Sequence, residues 1–459
     1  MRALIEKLHE VVSVPLLTGT DISERYQHDW SSEAPGYPIA VARPASTAEI
    51  SAIMKLCHEH EQPVVIQGGL SGLCGGGNPR GEEMALSMER LSGIEEIDHA
   101  AMTMTVKAGT PLQVIQEAAA AAGFVFPLDL GARGTCNIGG NISTNAGGNQ
   151  VLRFGMTRNL VLGLEAVLAD GTVISSMNKM LKNNAGYDLK HLFIGTEGTL
   201  GIVTRAVLRL YPKAGSRCSA LLAMKDFASV IALLQKVTRD FGGSLSTFEV
   251  MWNSYYHFIT DNVRGVTSPF SERYPVYLLT ELEGTNQDKD QLQFESVLAA
   301  AMEEGLIEDA VLAASGKDRE GFWKIRDGVA EIGTFIRDVG NFDVSVPISS
   351  MEAFLRRVET ALTTALPNAK MLAFGHVADS NLHFICYTGR HEDIPTIYEV
   401  VYGVVGEFQG SVSAEHGIGV QKIKVLHHSR TPEELALMRT LKQALDPKGI
   451  LNNGRVLPH

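Results

Sequence analysis

The chain has 459 residues, of which 45% are hydrophobic and 20% charged, with a formal net charge of -12. That length points to two or three domains with a sizeable core, and the acidic balance excludes the basic face of a nucleic-acid binder. No apolar run approaches the ~20 residues of a membrane span, and the five cysteines at 57, 74, 136, 218 and 386 never form CxxC, which fits a reducing cytoplasm without disulfides or a Cys-ligated iron–sulfur cluster.

Residues 1–33 open with MRALIEKLHEVVSV, an amphipathic helix. It lacks the apolar core of a signal peptide and the Arg-rich, acid-poor character of a transit peptide. From Ala40 the pattern becomes α/β. AVARP is a strand, and Ser46 with Glu49 predicts a capping box for the helix that follows. PVVIQGG, ALSMERL, IEEIDH and MTMTVKAG read as strands, and PLQVIQEAAAAAG as a helix stopped by Gly123. LVLGLEAVLADGTVIS reads as a hairpin turning at Asp170-Gly171.

Between these elements lie two glycine-dense stretches. The first, VVIQGGLSGLCGGGNP (Val64 to Pro79), is neither GxGxxG nor a Walker loop, so a nicotinamide site of Rossmann type is not expected. The second, PLDLGARGTCNIGGNISTNAGG (Pro127 to Gly148), sets glycines among Thr and Asn. Such runs present backbone N–H groups to a diphosphate. A flexible linker is the rival reading, but Ile138 and Ile142 should both be buried. Two such loops about sixty residues apart suit a long cofactor held at both ends. GTEGTLGIV (Gly195 to Val203) is a third tight segment, whose lone acid, Glu197, reads more readily as a cap than as a ligand contact.

Composition shifts at Pro212–Ser216, and helices with paired strands follow to about residue 425, suggesting an antiparallel sheet covered on one side. In FGHVADSNLHF, a turn at Ala378–Asn381 would place His376 opposite His383, two imidazoles about 5 Å apart at Cβ, which suits a metal. SAEHGIG offers Glu415 as a third ligand, with His416 beside it as a base. Two His and a carboxylate leave open positions for substrate, with zinc the first choice and manganese the second. Arg326, in FWKIRDG, sits on an apolar helix face and wants a carboxylate, from the protein or from a substrate. The tail is a helix, a turn at Asp446-Pro447 and a short strand.

QGGLSGLCGG, PLDLGARGTCNIGGNISTNAGG, GTEGTLGIVT, GHVADSNLH, SAEHGIG and LDPKGILNNG occur in this order along nearly the whole chain. In that set the chain resembles flavoproteins of the vanillyl-alcohol oxidase / p-cresol methylhydroxylase (PCMH) type, specifically their D-2-hydroxyacid dehydrogenase branch (D-lactate and D-2-hydroxyglutarate dehydrogenases). The resemblance implies an α+β architecture. An FAD-binding PCMH-type domain of two α/β halves (34–213) is followed by an antiparallel-sheet cap domain with the metal site (214–425), and a C-terminal segment (426–459) returns to the FAD domain.

It also implies site residues. Gly68, Gly69, Leu70, Ser71, Gly72 and Leu73, with Gly134, Thr135, Gly139, Gly140, Thr144 and Asn145, would wrap the pyrophosphate. Glu197, Gly201 and Ile202 would touch the adenosine half, and Asn452 would approach the isoalloxazine. His376, His383 and Glu415 match the metal ligands, His416 the base, Arg326 the carboxylate-binding arginine and Asn381 a polar neighbour of the substrate. Ala378 and Ser380 stand where the family often has Gly. Asn341 stands where 2-hydroxyglutarate enzymes tend to carry a lysine, which sits poorly with a dicarboxylic substrate. With no His in either glycine loop, the FAD is expected to be non-covalent. The expected activity is oxidation of a D-2-hydroxy acid, with an electron-transfer flavoprotein, quinone or cytochrome as acceptor and a homodimer as the guessed assembly. A metal-dependent hydrolase and a non-catalytic flavin-binding subunit are the rivals.

Overall fold

The computed structural model describes residues 2–458. The chain divides into two compact units. The first holds the residues up to Gly148, Phe154–Lys213 and the residues from Glu415 onward; the second holds Asn149–Arg153 and Ala214–Ala414.

The first unit carries two sheets. β1 (Val41–Ala42), β2 (Val64–Gln67) and β3 (Met84–Ser87) form a parallel sheet in the order β1-β3-β2. β4 (Ile94–Asp98) and β5 (Thr103–Lys107) begin the second sheet, and a short β6 (Phe124–Val125) stands apart from it. β7 (Val161–Val167), β8 (Val173–Ser176) and β9 (Ile202–Arg209) complete it in the antiparallel order β4-β5-β9-β7-β8, while β6 pairs with β10 (Tyr211–Pro212). The hairpin expected at Asp170-Gly171 is the β7–β8 connection, with Gly171 at φ +83°, where a side chain would be strained.

Of the capping box expected at Ser46 and Glu49, half forms. Ser46 accepts the Glu49 amide, but the Glu49 carboxylate takes the amide of Ala45 instead. A complete box closes the start of helix Pro432–Leu445, through Thr431 and Glu434. This C-terminal helix belongs to the first unit, where Lys442 Nζ donates to the carbonyls of Thr199 and Leu451. The short strand expected in the tail is reduced to a single parallel bridge, Leu451 to Val64.

The second unit is built on seven strands: β11 (Ser216–Met224), β12 (Leu245–Trp252), β13 (Val276–Gly284), β14 (Asp309–Leu312), β15 (Gly340–Ser345), β16 (Lys370–Gly375) and β17 (Asn381–Tyr387). They run antiparallel in the order β14-β11-β13-β12-β16-β17-β15. Helices Phe227–Phe241, Gln287–Glu303, Met351–Ala365 and Ile394–Glu407 cover one face, as the stacking of Phe227 on Trp252 and the edge contact of Phe354 with Phe384 show.

The other face is covered too, contrary to the one-sided reading of the sequence. Helices Asn253–Asn262 and Gly316–Arg326 pack there, burying Tyr255, Tyr256, Ile259, Phe322 and Ile325 against Leu221, Met251, Leu279 and Phe374. Helix Asn253–Asn262 begins at the residue after β12, so no turn signal separates the two in the sequence. After helix Ile394–Glu407 the chain touches this sheet through a single antiparallel bridge, Ser411 to Ser345.

Candidate active site

In the first unit the two glycine stretches meet. Ile138 and Ile142 are fully buried in helix Ile138–Thr144, each contributing about 1.5–3 kcal/mol of hydrophobic stabilisation, so this stretch is packed structure and not a linker. A Cβ on Gly69 would lie 2.0 Å from the Thr135 carbonyl, and one on Gly68 would lie 2.6 Å from Asn137 Oδ1. Only glycine allows the loops this close. Gly139 is held in the same way against Ala108, and its amide donates to the Ala108 carbonyl at 2.7 Å. Gly134 and Thr135 face solvent, and Gly72 and Leu73 at the end of the first loop are likewise exposed. Asn137 Oδ1 is buried without a hydrogen-bond partner among the described residues. A glycine-lined cradle with exposed loop tips fits a diphosphate cofactor such as FAD, and the Asn137 oxygen, an acceptor, suits a hydroxyl or N–H of such a cofactor and not its phosphates.

Other residues that the family pattern assigns to the cofactor also make bonds within the protein. Thr144 Oγ1 donates to the Gly140 carbonyl, and Asn145, at φ +51°, ends the helix and accepts the Arg158 amide. Gly201 packs on the Phe193 ring, and Ile202 is buried at the start of β9. Asn452 accepts the Ile66 amide at 2.8 Å and donates to the Glu197 carbonyl at 2.6 Å. Glu197 is half-buried, and its two oxygens accept the amides of Ile418 and Gly419 at 2.7 and 2.8 Å. Burial pushes its carboxyl above the ordinary range, against the pull of those amides and of Lys422. Glu415 accepts the Gly148 amide at 2.5 Å, and His416 follows it at half-buried exposure.

In the second unit the expected hairpin forms with a different register. His383 in β17 lies opposite Phe374, not His376, a displacement of two residues. His376 stands just past β16, where its carbonyl accepts the Asp379 amide of the turn. Side chains alternate with period two, so a two-residue displacement keeps both imidazoles on one face. Their ring centroids are 5.3 Å apart in an edge-on arrangement.

That face carries an acid the sequence reading missed. Glu249 in β12 accepts a hydrogen bond from Arg326 Nε at 2.9 Å and hydrogen-bonds His376 Nδ1 through its other oxygen. Arg326 Nη2 lies 2.9 Å from His376 Nε2. Arg326 donates only, so His376 accepts at Nε2 and carries its proton at Nδ1, toward Glu249. Burial pushes the Glu249 carboxyl up, but its interactions with His376 and Arg326 outweigh it and hold it at about 2. Arg326 is the last residue of its helix; it lies over the Phe374 ring at 5.4 Å, and its carbonyl accepts from Tyr255 Oη at 2.5 Å. His383 Nδ1 lies 3.9 Å from Asp343 Oδ1, and Asn381 Nδ2 lies 3.4 Å from His383 Nε2. Asn381 Oδ1 is buried without a hydrogen-bond partner among the described residues.

Two adjacent imidazoles, one backed by a carboxylate at Nδ1 with a lone pair at Nε2, are a donor set that fits a divalent cation. The signal for Glu249 was a single acid in the apolar strand LSTFEVMW; for Asp343 it was the same pattern in NFDVSVP.

Residues 38–176 match the FAD binding domain family, and residues 213–456 match the C-terminal domain of FAD linked oxidases. The fold is that of p-cresol methylhydroxylase, whose structure superposes with a TM-score of 0.81 at 15% identity, covering 100% of this chain and 97% of that one. The chain belongs to the FAD-linked oxidase family. The mitochondrial D-2-hydroxyglutarate dehydrogenase of Arabidopsis thaliana is 37% identical over 433 residues, 94% of this chain and 77% of that protein. The D-2-hydroxyglutarate dehydrogenase of Xanthomonas citri is 36% identical over 449 residues, 94% of this chain and 92% of that protein. Within the family, the chain is an FAD-linked hydroxyacid dehydrogenase.

Proposed function

We propose that this chain oxidises a D-2-hydroxy acid to the 2-oxo acid with a divalent cation at His376 and His383. The observation that carries this reading is the Glu249–His376–Arg326 set beside His383, which puts two adjacent imidazoles next to a guanidinium. D-2-hydroxyglutarate is the first candidate, from the relatives; D-lactate is the second, because Asn341 lies on this face opposite Ile385 where a cation would suit a second carboxylate.

Bound FAD would supply hydride acceptance at N5, and zinc or manganese would supply Lewis acidity toward the substrate hydroxyl. Glu249 keeps the His376 proton on Nδ1 and so presents Nε2 as a ligand. Glu415 is the third ligand that the family pattern assigns. With a cation held by His376 and His383, Arg326 would keep Nε on Glu249 and offer its Nη2 edge to the substrate carboxylate. His416 takes the hydroxyl proton, and Asn381 offers its buried oxygen to the substrate. An electron-transfer flavoprotein, quinone or cytochrome would then reoxidise the flavin, and the scattered cysteines support a cytoplasmic location. Neither the hydrolase nor the flavin-binding reading uses both the glycine cradle and the histidine pair.

An anaerobic screen of D- and L-2-hydroxy acids tests this. A D-isomer should bleach the flavin, and His416→Asn should slow that bleaching by roughly 10²–10⁴-fold while dithionite still reduces it. Bleaching by dithionite alone, with every hydroxy acid inert, would end the proposal.

A further inference from the structure

We propose that Glu197 is a positioning residue, whose carboxylate fastens the Gly417–Gly419 turn and thereby aims His416, and is not a ligand of the flavin. The inference rests on the reading of His416 as the base, given above.

Both Glu197 oxygens are engaged by the turn, Oε1 by the Ile418 amide at 2.7 Å and Oε2 by the Gly419 amide at 2.8 Å. Two consecutive N–H groups converging on one carboxylate form an anion-binding nest, and here the anion is the protein's own side chain. The turn is shaped for it. Gly417 and Gly419 stand at φ +83° and +53°, and a Cβ on Gly417 would come within 2.8 Å of Glu197 Oε1. From the opposite side, a Cβ on Gly419 would lie 2.1 Å from the Cys74 carbonyl, which accepts the Val420 amide at 2.9 Å. The turn is therefore pinned between Glu197 and the end of the first glycine loop.

Glu197 is itself held. At φ +52° it adopts a conformation unfavourable for a glutamate. Its amide donates to the Ser143 carbonyl at 2.8 Å, and its carbonyl accepts from Asn452 Nδ2 at 2.6 Å. Ser143 lies in the helix of the second glycine stretch, and Asn452 also holds the Ile66 amide in β2, two residues before Gly68. One residue thus ties both glycine loops to the turn that follows His416. Each carboxylate oxygen gives a lone pair to an amide of the turn, and this fixes the plane and direction of the carboxylate against Gly417–Gly419. The strained backbone is the outcome expected where geometry is held for function, because every polar group of the residue is bonded against relaxation.

A double-mutant cycle in the flavin-loaded enzyme separates the possibilities. Glu197→Gln keeps the shape but replaces one acceptor oxygen with a donor that confronts an N–H. It should purify with the FAD content and visible spectrum of the parent, and its flavin reduction by a D-2-hydroxy acid should slow about ten- to a hundred-fold at unchanged KM. The double variant with His416→Asn should be no slower than His416→Asn alone, because Glu197 acts through that residue. Loss of FAD with a normal reduction rate per bound flavin would make Glu197 a cofactor ligand and overturn the proposal, and so would multiplicative slowing in the double variant. If His416→Asn alone reduces at the parental rate, the reading of the base falls instead. Should Glu197→Gln fail to fold, hydrogen exchange in the parent decides: the Ile418 and Gly419 amides should be protected like those of a strand, and exchange at the rate of an exposed loop would remove the clamp.

Discussion

Glu249 and His376 share a buried hydrogen bond through His376 Nδ1, and they sit 127 residues apart in the chain. The same carboxylate receives Arg326 Nε, so one acid orients both the imidazole and the guanidinium of the candidate site. Removing one partner of such a buried set leaves the others without compensation. Glu249→Gln should destabilise the protein by about 3–5 kcal/mol. It should also weaken cation binding about 10–100-fold, because the group behind the ligand is altered. Urea unfolding and metal titration measure the two effects, and unchanged metal affinity would show that Glu249 is structural only.

Arg326 is the second test. Its Nε and Nη2 reach Glu249 and His376 in directions that a lysine cannot reproduce. Arg326→Lys should raise KM for the hydroxy acid by the equivalent of about 1.5–3 kcal/mol, the worth of one charged hydrogen bond. Steady-state kinetics at saturating acceptor reads this directly, and parental KM and kcat would return Arg326 to a structural role.

The glycine cradle makes a third prediction. A methyl on Gly69 would collide with the Thr135 carbonyl and with Cys136 Cα, 2.0 and 2.9 Å from the Cβ position. Backbone cannot yield there as a side-chain tip can, and overpacking of this kind costs about 1–3 kcal/mol. Gly69→Ala should purify pale and bind added FAD weakly. The parental flavin should leave with the supernatant on acid precipitation, since neither glycine loop contains a histidine. Yellow colour retained in the acid pellet would show a covalent link.

Metal dependence is the fourth. Exhaustive chelation should abolish substrate-driven bleaching but leave the flavin bound, and zinc or manganese should restore it. His383→Ala should lose the metal, since its ring is one of the pair 5.3 Å apart. Full activity in metal-free enzyme would exclude the cation from the reaction.

Much of the site was legible because its signals are local. Glycines at 69 and 139 mark close backbone approach wherever they lie in space. His376 and His383 shared a face in the sequence reading and share it in the structure, because a two-residue difference in register does not change sides. Helix Asn253–Asn262 was missed because β12 runs into it with no turn between.

The sequence by itself determined the class of the protein: six ordered motifs, two glycine loops and a histidine pair are properties of adjacent residues, set by φ preference and by the alternation of a strand. The tertiary structure alone decided which charges face one another. Glu249 reads as an unremarked acid in a strand until β12 is laid beside β16, and Glu197 reads as a lone cap until its oxygens meet the amides of Ile418 and Gly419, more than two hundred residues further along the chain. Such pairings depend on long-range packing that closes large loops, and no local pattern of residues encodes their geometry.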